Sequence, residues 1–149
     1  MLTLRIDETR VKPFMGKLFS EDAFDVFETR SVSVVHFVNL NIDAALVSSE
    51  NKAFAGWPML KPYIYNFIKG KEKPKNIKIV FSLPRGMLAD IAPNAAAAFL
   101  NMEYKDGEVR FLTATSQKEF SLSKELDILW DEYVKKFFSS RGIEVEIVE

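Results

Sequence analysis

The feature that most constrains this fold is an order of elements that occurs twice along the chain: one strand, one short helix, then three strands. The second copy runs from Lys75 to about Leu122, and the first runs from Leu2 to about Leu46. Apolar residues at strand and helix spacing define these elements. We therefore predict an α+β fold: an antiparallel sheet with helices on one face, built on a duplicated strand–helix–three-strand unit.

The strongest local signal is a tight turn at Asp106-Gly107 between two segments of alternating polarity. Two-residue hairpin turns of type I′ need positive φ at both central residues, which Asp and Gly tolerate. Such a turn determines the register of its strands, and the first three pairs below are expected to face the core. The predicted opposite pairs are Tyr104–Val109, Met102–Phe111, Leu100–Thr113, Glu103–Arg110 and Lys105–Glu108.

A long C-terminal helix is predicted from an N-cap at Ser123 to about Arg141, with Gly142 as its stop. Trp130 lies at the centre of the apolar face and is expected to be buried. On the solvent side, Asp131 with Lys135 and Glu132 with Lys136 have the i,i+4 spacing of helical ion pairs. The apolar face contains Leu126, Leu129, Trp130, Tyr133, Val134, Phe137 and Phe138.

Three further helices follow from apolar spacing and from the positions of proline; the last of them is short, opening at Pro84 and running through Ile91. The first begins near Arg10, because Pro13 is tolerated only where backbone N–H groups have no helical partner. The second opens at Pro58 and stops at Gly70. Between them, Ser48 to Gly56 is the clearest predicted loop.

The remaining predicted elements are strands. Phe24 to Ile42 is expected to form two or three antiparallel strands, in which His36 lies on the same face as the alternating apolar residues. After Ser116-Gln117 the chain is expected to return as a third strand through Phe120 and Leu122. Ile143 to Val148 is expected to form a last edge strand. The alternating apolar residues are Val32, Val34, Val38, Leu40 and Ile42.

The composition fits one cytoplasmic domain spanning residues 1–149. This length can bury roughly two-thirds of its unfolded surface in a single core. The chain has no cysteine, which excludes disulfides, thiolate nucleophiles and iron–sulfur clusters. The first residues lack the features of a secretory signal, and no run of about 18 apolar residues could span a bilayer. We expect no membrane association.

Catalytic and metal-binding patterns are sparse. His36 is the only histidine, and no serine stands in a Gly-x-Ser-x-Gly turn, so a hydrolase triad is not indicated. A zinc site would need three carboxylates beside this histidine, which is uncommon for that metal. The pairs Asp22 with Asp25 and Asp127 with Asp131 lack the ligand density of a calcium loop. Glycine-rich phosphate loops are absent. We predict no cofactor.

The distinctive charge feature is a basic segment. Between Lys61 and Arg85 the chain has seven basic residues and one acidic residue, Glu72, a charge of +6 in a chain whose net charge is −1. Basic residues among aromatics are typical of polyanion-binding surfaces, although lysines at a helix C-terminus also favour the helix dipole without any ligand. The candidate polyanion-binding residues are Lys69, Lys71, Lys73, Lys75, Lys78 and Arg85.

Three segments carry a family resemblance: WPMLKPYIYNFIKGKEKPKNIKIVFSL, AFLNMEYKDGEVRFLTATSQKEFSL and WDEYVKKFFSSRGI. They resemble a small family of proteins of unknown function from clostridial-type Gram-positive bacteria. This resemblance covers nearly the whole chain and implies a cytoplasmic bacterial protein, but no activity or site residues. In architecture alone, FSLPRGMLADIA followed by a hairpin is similar to half of a DNA sliding-clamp domain, which has two strand–helix–three-strand units. Fold likeness does not imply function.

Three functional hypotheses remain after these exclusions. The leading one is a non-enzymatic binding or adaptor domain with an unidentified protein partner, because the residues for most catalysis are missing. The second is a clamp-like protein that associates with nucleic acid through the basic segment. The third is an enzyme with a carboxylate-based site, which would require a concave pocket holding two carboxylates of raised pKa.

Overall fold

A computed structural model describes residues 1–47 and 53–148. Residues 48–52 of the predicted loop Ser48–Gly56 lie outside the described residues. Short 3₁₀ helices cover Glu8–Arg10 and Arg85–Asp90. The strands are β1 (Thr3–Ile6), β2 (Glu28–Val35), β3 (Asn39–Asp43), β4 (Asn76–Ser82), β5 (Ala95–Lys105), β6 (Glu108–Gln117) and β7 (Glu146–Val148). The α-helices are α1 (Val11–Phe19), α2 (Trp57–Ile68) and α3 (Glu125–Ser140).

The seven strands form one antiparallel sheet in the order β3-β2-β4-β5-β6-β1-β7. The α+β class is therefore confirmed. The β5–β6 hairpin has the predicted register at all five pairs, including Tyr104 opposite Val109. Its turn residues Asp106 and Gly107 have φ values of 54° and 80°, as a type I′ turn requires. β7 is the expected edge strand and pairs with β1.

The duplicated order survives only in part. Each half contains a strand, a helical segment and a hairpin, but the predicted third strand of the second unit is wrong. Phe120 and Leu122 lie outside any strand and are exposed, because the chain leaves β6 at Gln117 and crosses to the helical face to begin α3. The pairing is not repeated either: β4 lies between β2 and β5, whereas β1 lies between β6 and β7.

The helices pack on one face of the sheet, as predicted, and their apolar residues join a single core. α1 begins at Val11, so Pro13 lies in its first turn, where a missing N–H costs little. The predicted N-cap at Ser123 is wrong by one residue: α3 begins at Glu125 with Lys124 as its N-cap, and the Ser123 Oγ still accepts the Glu125 N–H at 3.2 Å. Gly142, at φ +69°, ends that helix.

Phe24 lies at the centre of the core, in the turn region between α1 and β2. It is fully buried, and its ring lies 5.3–6.1 Å between centroids from six other phenylalanine rings. Several of these pairs are edge-to-face, the arrangement that aromatic quadrupoles favour. These rings come from every layer of the fold: Phe14, Phe27, Phe81, Phe111, Phe137 and Phe138.

Both tryptophans are fully buried, and each satisfies its indole N–H at a backbone carbonyl. Trp57 donates to the carbonyl of Leu18 and Trp130 to that of Phe99, both at 2.9 Å. The predicted burial of Trp130 is confirmed. Trp130 links α3 to β5. Hydrophobic contact is not directional, so the hydrogen bond supplies the specific orientation of the indole ring.

The predicted solvent-side ion pair of Asp131 is wrong. Its Oδ1 accepts the Thr113 hydroxyl at 2.6 Å, and its Oδ2 lies 3.6 Å from the N-terminal amine. One turn earlier on α3, Asp127 accepts the hydroxyl of Thr115. Residues i and i+4 of a helix and residues j and j+2 of a strand each share one face, so the two acids face the two threonines. Val38, predicted on the apolar face of the β2–β3 strands, is instead exposed in their turn.

Candidate binding surfaces

Exposed aromatic side chains gather at one end of the sheet, where the β2–β3 turn meets α2. Phe37, in that turn, is 74% exposed, and its ring centroid lies 5.6 Å from that of Phe67 on α2. The half-buried His36 ring lies beside both, 5.6 Å from Phe37 and 5.8 Å from Phe67. Tyr63 is 72% exposed and precedes Phe67 by four residues, so both lie on one side of α2. The cluster is open to water at Phe37 and Tyr63.

Four lysines follow this cluster on the connector between α2 and β4. All four side chains are exposed, and none forms an ion pair with a described residue. The backbone N–H of Lys75 donates to the Val35 carbonyl at 2.8 Å, which holds the connector beside the β2–β3 hairpin. We call this surface the aromatic–basic end: His36, Phe37, Tyr63, Phe67, Lys69, Lys71, Lys73 and Lys75.

The fold separates the other basic residues of the segment from this end. Lys61 pairs with Asp25, with 2.7 Å between Nζ and Oδ1. Lys78, on the sheet face away from the helices, lies 3.6 Å from the Glu103 carboxylate. Arg85 follows the opposite end of β4, roughly 20 Å away at the usual rise per strand residue. The basic run in sequence is therefore not one surface in space.

Sequence reasoning missed one further cation near the aromatic–basic end. Lys105, the last residue of β5, lies opposite Asn76 at the start of β4 and is exposed. Two acidic residues are neighbours of these lysines in sequence: Glu72 lies between Lys71 and Lys73 on the connector, and Asp106 follows Lys105 in the β5–β6 turn. Only the pairing of β4 with β5 brings Lys105 to this end, so no local signal could have revealed it.

A pocket of about 310 Å³ lies at the other end of the sheet, near the start of β2 and β5. Its charged wall consists of Glu28, Arg30 and Arg85. Its apolar wall includes Phe54, Leu83, Leu88 and Ala96. The volume is at the lower limit of the range usual for small-molecule sites.

Arg30 is the best-defined residue of the pocket. It lies where the pairing of β2 with β4 shifts register between Thr29 and Ser31, a β-bulge. Its Nε donates to the Ser82 hydroxyl at 3.0 Å, and its Cζ lies 3.9 Å from the centroid of the Phe54 ring. The sequence signal was a break in apolar alternation at Thr29–Ser31, which did not by itself indicate a site.

Burial dominates the electrostatics of the pocket. It raises the pKa of the Glu28 carboxyl, although the positive charges of Arg30 and Arg85 act in the opposite direction. Burial also lowers the pKa of the Arg30 guanidinium, partly offset by the negative charge of Glu28. Both side chains are half-buried, which is the cause of these shifts.

Three of the four acidic residues paired in the sequence are engaged by other side chains. Asp25 is engaged by Lys61 at 2.7 Å, and Asp127 and Asp131 accept the threonine hydroxyls of β6. Among residues 1–47 and 53–148, no group of three or more His, Asp or Glu side chains is arranged to hold a metal ion. No helix in that part of the chain has the length and hydrophobicity of a bilayer span.

Comparison with known families identifies one match. A family model described as "Family of unknown function (DUF5721)" matches residues 17–146, which is most of the chain. No curated protein matches the chain, and no solved structure matches it either.

Proposed function

The chain belongs to the DUF5721 family, and we propose that it is a non-enzymatic binding domain whose aromatic–basic end binds single-stranded nucleic acid. We also propose, from the resemblance of its sequence segments, a cytoplasmic protein of clostridial-type bacteria. The observation that carries the binding proposal is the exposed Phe37 ring, which lies beside Phe67 and His36 and is followed by four lysines that form no ion pair with a described residue.

Single-stranded nucleic acids are bound by this combination of groups. Bases stack on exposed aromatic rings, and each such contact contributes about 1–3 kcal/mol without sequence preference. Lysines neutralise the phosphates and release counterions. Because a duplex hides the faces of its bases, exposed rings at Phe37 and Tyr63 favour a single strand over a double strand.

The other two hypotheses have less support. An adaptor for a protein would use the same exposed rings, but four unpaired lysines favour a polyanionic partner. The enzyme hypothesis required two carboxylates of raised pKa in one concave pocket. The pocket beside Arg30 contains one carboxylate, Glu28, among the described residues. The clamp likeness stays a proposal about architecture alone, because the strand pairing is not repeated in the two halves.

The proposal is tested by fluorescence anisotropy with a labelled oligothymidine and a duplex of equal length, each over a series of salt concentrations. We expect binding to the single strand, with log affinity falling linearly with log salt. The triple substitution Lys71→Ala, Lys73→Ala and Lys75→Ala should flatten that slope by about 2–3 units. Phe37→Ala should weaken binding by about tenfold at every salt concentration, because it removes a stacking surface and no charge.

A matched control has the same charge change elsewhere. Lys124, Lys135 and Lys136 are exposed on or beside α3, and replacing all three by Ala should leave the salt slope unchanged. Equal slopes for the two triple variants would refute the proposed surface. Absence of oligothymidine binding at low ionic strength would refute nucleic-acid binding and leave the adaptor hypothesis, for which crosslinking through a photoreactive residue substituted for Phe37 would be the next measurement.

A further inference from the structure

The Arg30 pocket is separate from the aromatic–basic end and contains an unusual arginine. Its side chain is half-buried, with Nε bonded to Ser82 and Cζ 3.9 Å and 5.2 Å from the centroids of Phe54 and Phe99. Three contacts from different segments therefore hold one guanidinium in place. Such a group loses less conformational freedom on binding a ligand than a mobile surface arginine does.

The outer edge of this guanidinium is unused. Neither Nη group of Arg30 donates a hydrogen bond to a described residue. Glu28 likewise forms no ion pair within 4.0 Å with Arg30 or with any other described residue. A partly desolvated cation with free N–H groups is costly unless an acceptor satisfies it. The planar fork of a guanidinium matches the two oxygens of a carboxylate or phosphate.

The remaining walls define the rest of the ligand. Arg85 places a second, exposed cation at the pocket, while Phe54, Leu83 and Leu88 supply apolar surface. We propose that this pocket binds a small molecule that carries an oxyanion, a carboxylate or a phosphate, on a compact apolar body. The volume of about 310 Å³ accommodates a body of about one ring.

Glu28 gives the proposal a distinctive signature. Its carboxylate lines the same pocket as Arg30 and Arg85 and feels the charges of both. An incoming oxyanion is attracted by the two guanidinium groups and repelled by this carboxylate. Removing the negative charge while keeping the shape should therefore strengthen binding, an effect that a purely structural role of Arg30 would not produce.

The test is an NMR titration of the ¹⁵N-labelled full chain in low-chloride buffer with benzoate, phenyl phosphate and the neutral benzamide. We expect saturable shifts of the Arg30 Nε–H and the Ala96 amide with benzoate or phenyl phosphate, and none with benzamide. The better of the two anions identifies the oxyanion class. Arg30→Gln should weaken binding about tenfold or more, and Glu28→Gln should strengthen it a few-fold.

Two variants keep the test independent of folding. Arg85→Gln alters an exposed side chain and should weaken binding by about threefold to tenfold even if Arg30→Gln does not fold. Arg110→Gln makes the same charge change at an exposed side chain of β6 and should have no effect. Equal shifts with benzamide, no saturable shift up to about 20 mM anion, or unchanged affinity in both Arg85→Gln and Glu28→Gln would overturn the proposal.

Discussion

Phe24 and Phe37 both lie in turns between regular elements, yet Phe24 is fully buried and Phe37 is 74% exposed. Phe24 contacts rings from both helical and sheet layers, whereas Phe37 contacts only His36 and Phe67 among the aromatic rings of residues 1–47 and 53–148. The Phe24 turn packs against α3, whereas the Phe37 turn joins β2 to β3 at one end of the sheet. Residue type therefore does not determine the role of an aromatic side chain; its place in the topology does.

The difference has an energetic meaning. Burying a phenylalanine side chain contributes about 1.5–3 kcal/mol from transfer out of water, with packing added to that. Phe37 gains little of this, so its ring remains available for a partner. The comparison predicts that substitutions around Phe24 change stability and that substitutions around Phe37 change binding.

The largest expected effect on stability is among the buried rings around Phe24. Phe24→Ala should lower the free energy of unfolding by about 3–5 kcal/mol, because it leaves a cavity among six rings. Urea denaturation followed by circular dichroism measures the loss. Phe120→Ala, at an 87% exposed residue, is the control and should change stability by less than about 0.5 kcal/mol. A loss at Phe24 below about 1 kcal/mol would break the comparison.

Trp130, on α3, belongs to the same buried core as Phe24. Trp130→Ala should also cost about 3–5 kcal/mol, since it removes a fully buried ring. Trp130→Phe keeps most of the volume but removes the indole N–H that donates to the Phe99 carbonyl, so a smaller loss of about 1–3 kcal/mol is expected. The same denaturation experiment compares the two, and a larger loss for Phe than for Ala would contradict the packing argument.

A substitution at the buried residue Thr29 is expected to increase stability. Its buried Oγ1 has no hydrogen-bond partner in the described part of the chain. Thr29→Val keeps the shape and should raise the free energy of unfolding by about 1 kcal/mol. Thr113→Val is the matched control: Thr113 is equally buried, but its hydroxyl bonds to Asp131 and accepts the Leu2 N–H, so this substitution should destabilise. Opposite signs for the pair are the diagnostic result in thermal melts.

The smallest expected effect on stability is at the exposed ring of Phe37. Phe37→Ala should change the free energy of unfolding by less than about 0.5 kcal/mol while weakening oligothymidine binding. Paired denaturation and anisotropy measurements on one preparation separate the two effects. A stability loss above about 2 kcal/mol would show that Phe37 is part of the structural core, and the contrast with Phe24 would fail.

The candidate sites show why some features could not be predicted. The lysines from Lys69 to Lys75 share a surface because they share a short connector, and the sequence identifies them as a group. Arg85 is near them in sequence but lies at the far end of β4, beside Arg30 and Glu28. Their pocket forms only where β2 meets β4 across about fifty residues of chain, at a bulge without a sequence signature strong enough to predict it.

By itself, the sequence determined what depends on neighbouring residues: the β5–β6 register, the stop of α3 at Gly142 and the apolar face that contains Trp130. Turn geometry, capping and periodicity act over a few residues, so they can be read locally. Tertiary structure alone decided the strand order, the role of Asp131 and the opposite exposures of Phe24 and Phe37. These depend on pairings such as Leu4 with Phe111, more than one hundred residues apart in the chain. Alternative strand pairings over such distances are distinguished only by how well the complete core packs, and no local signal reports that.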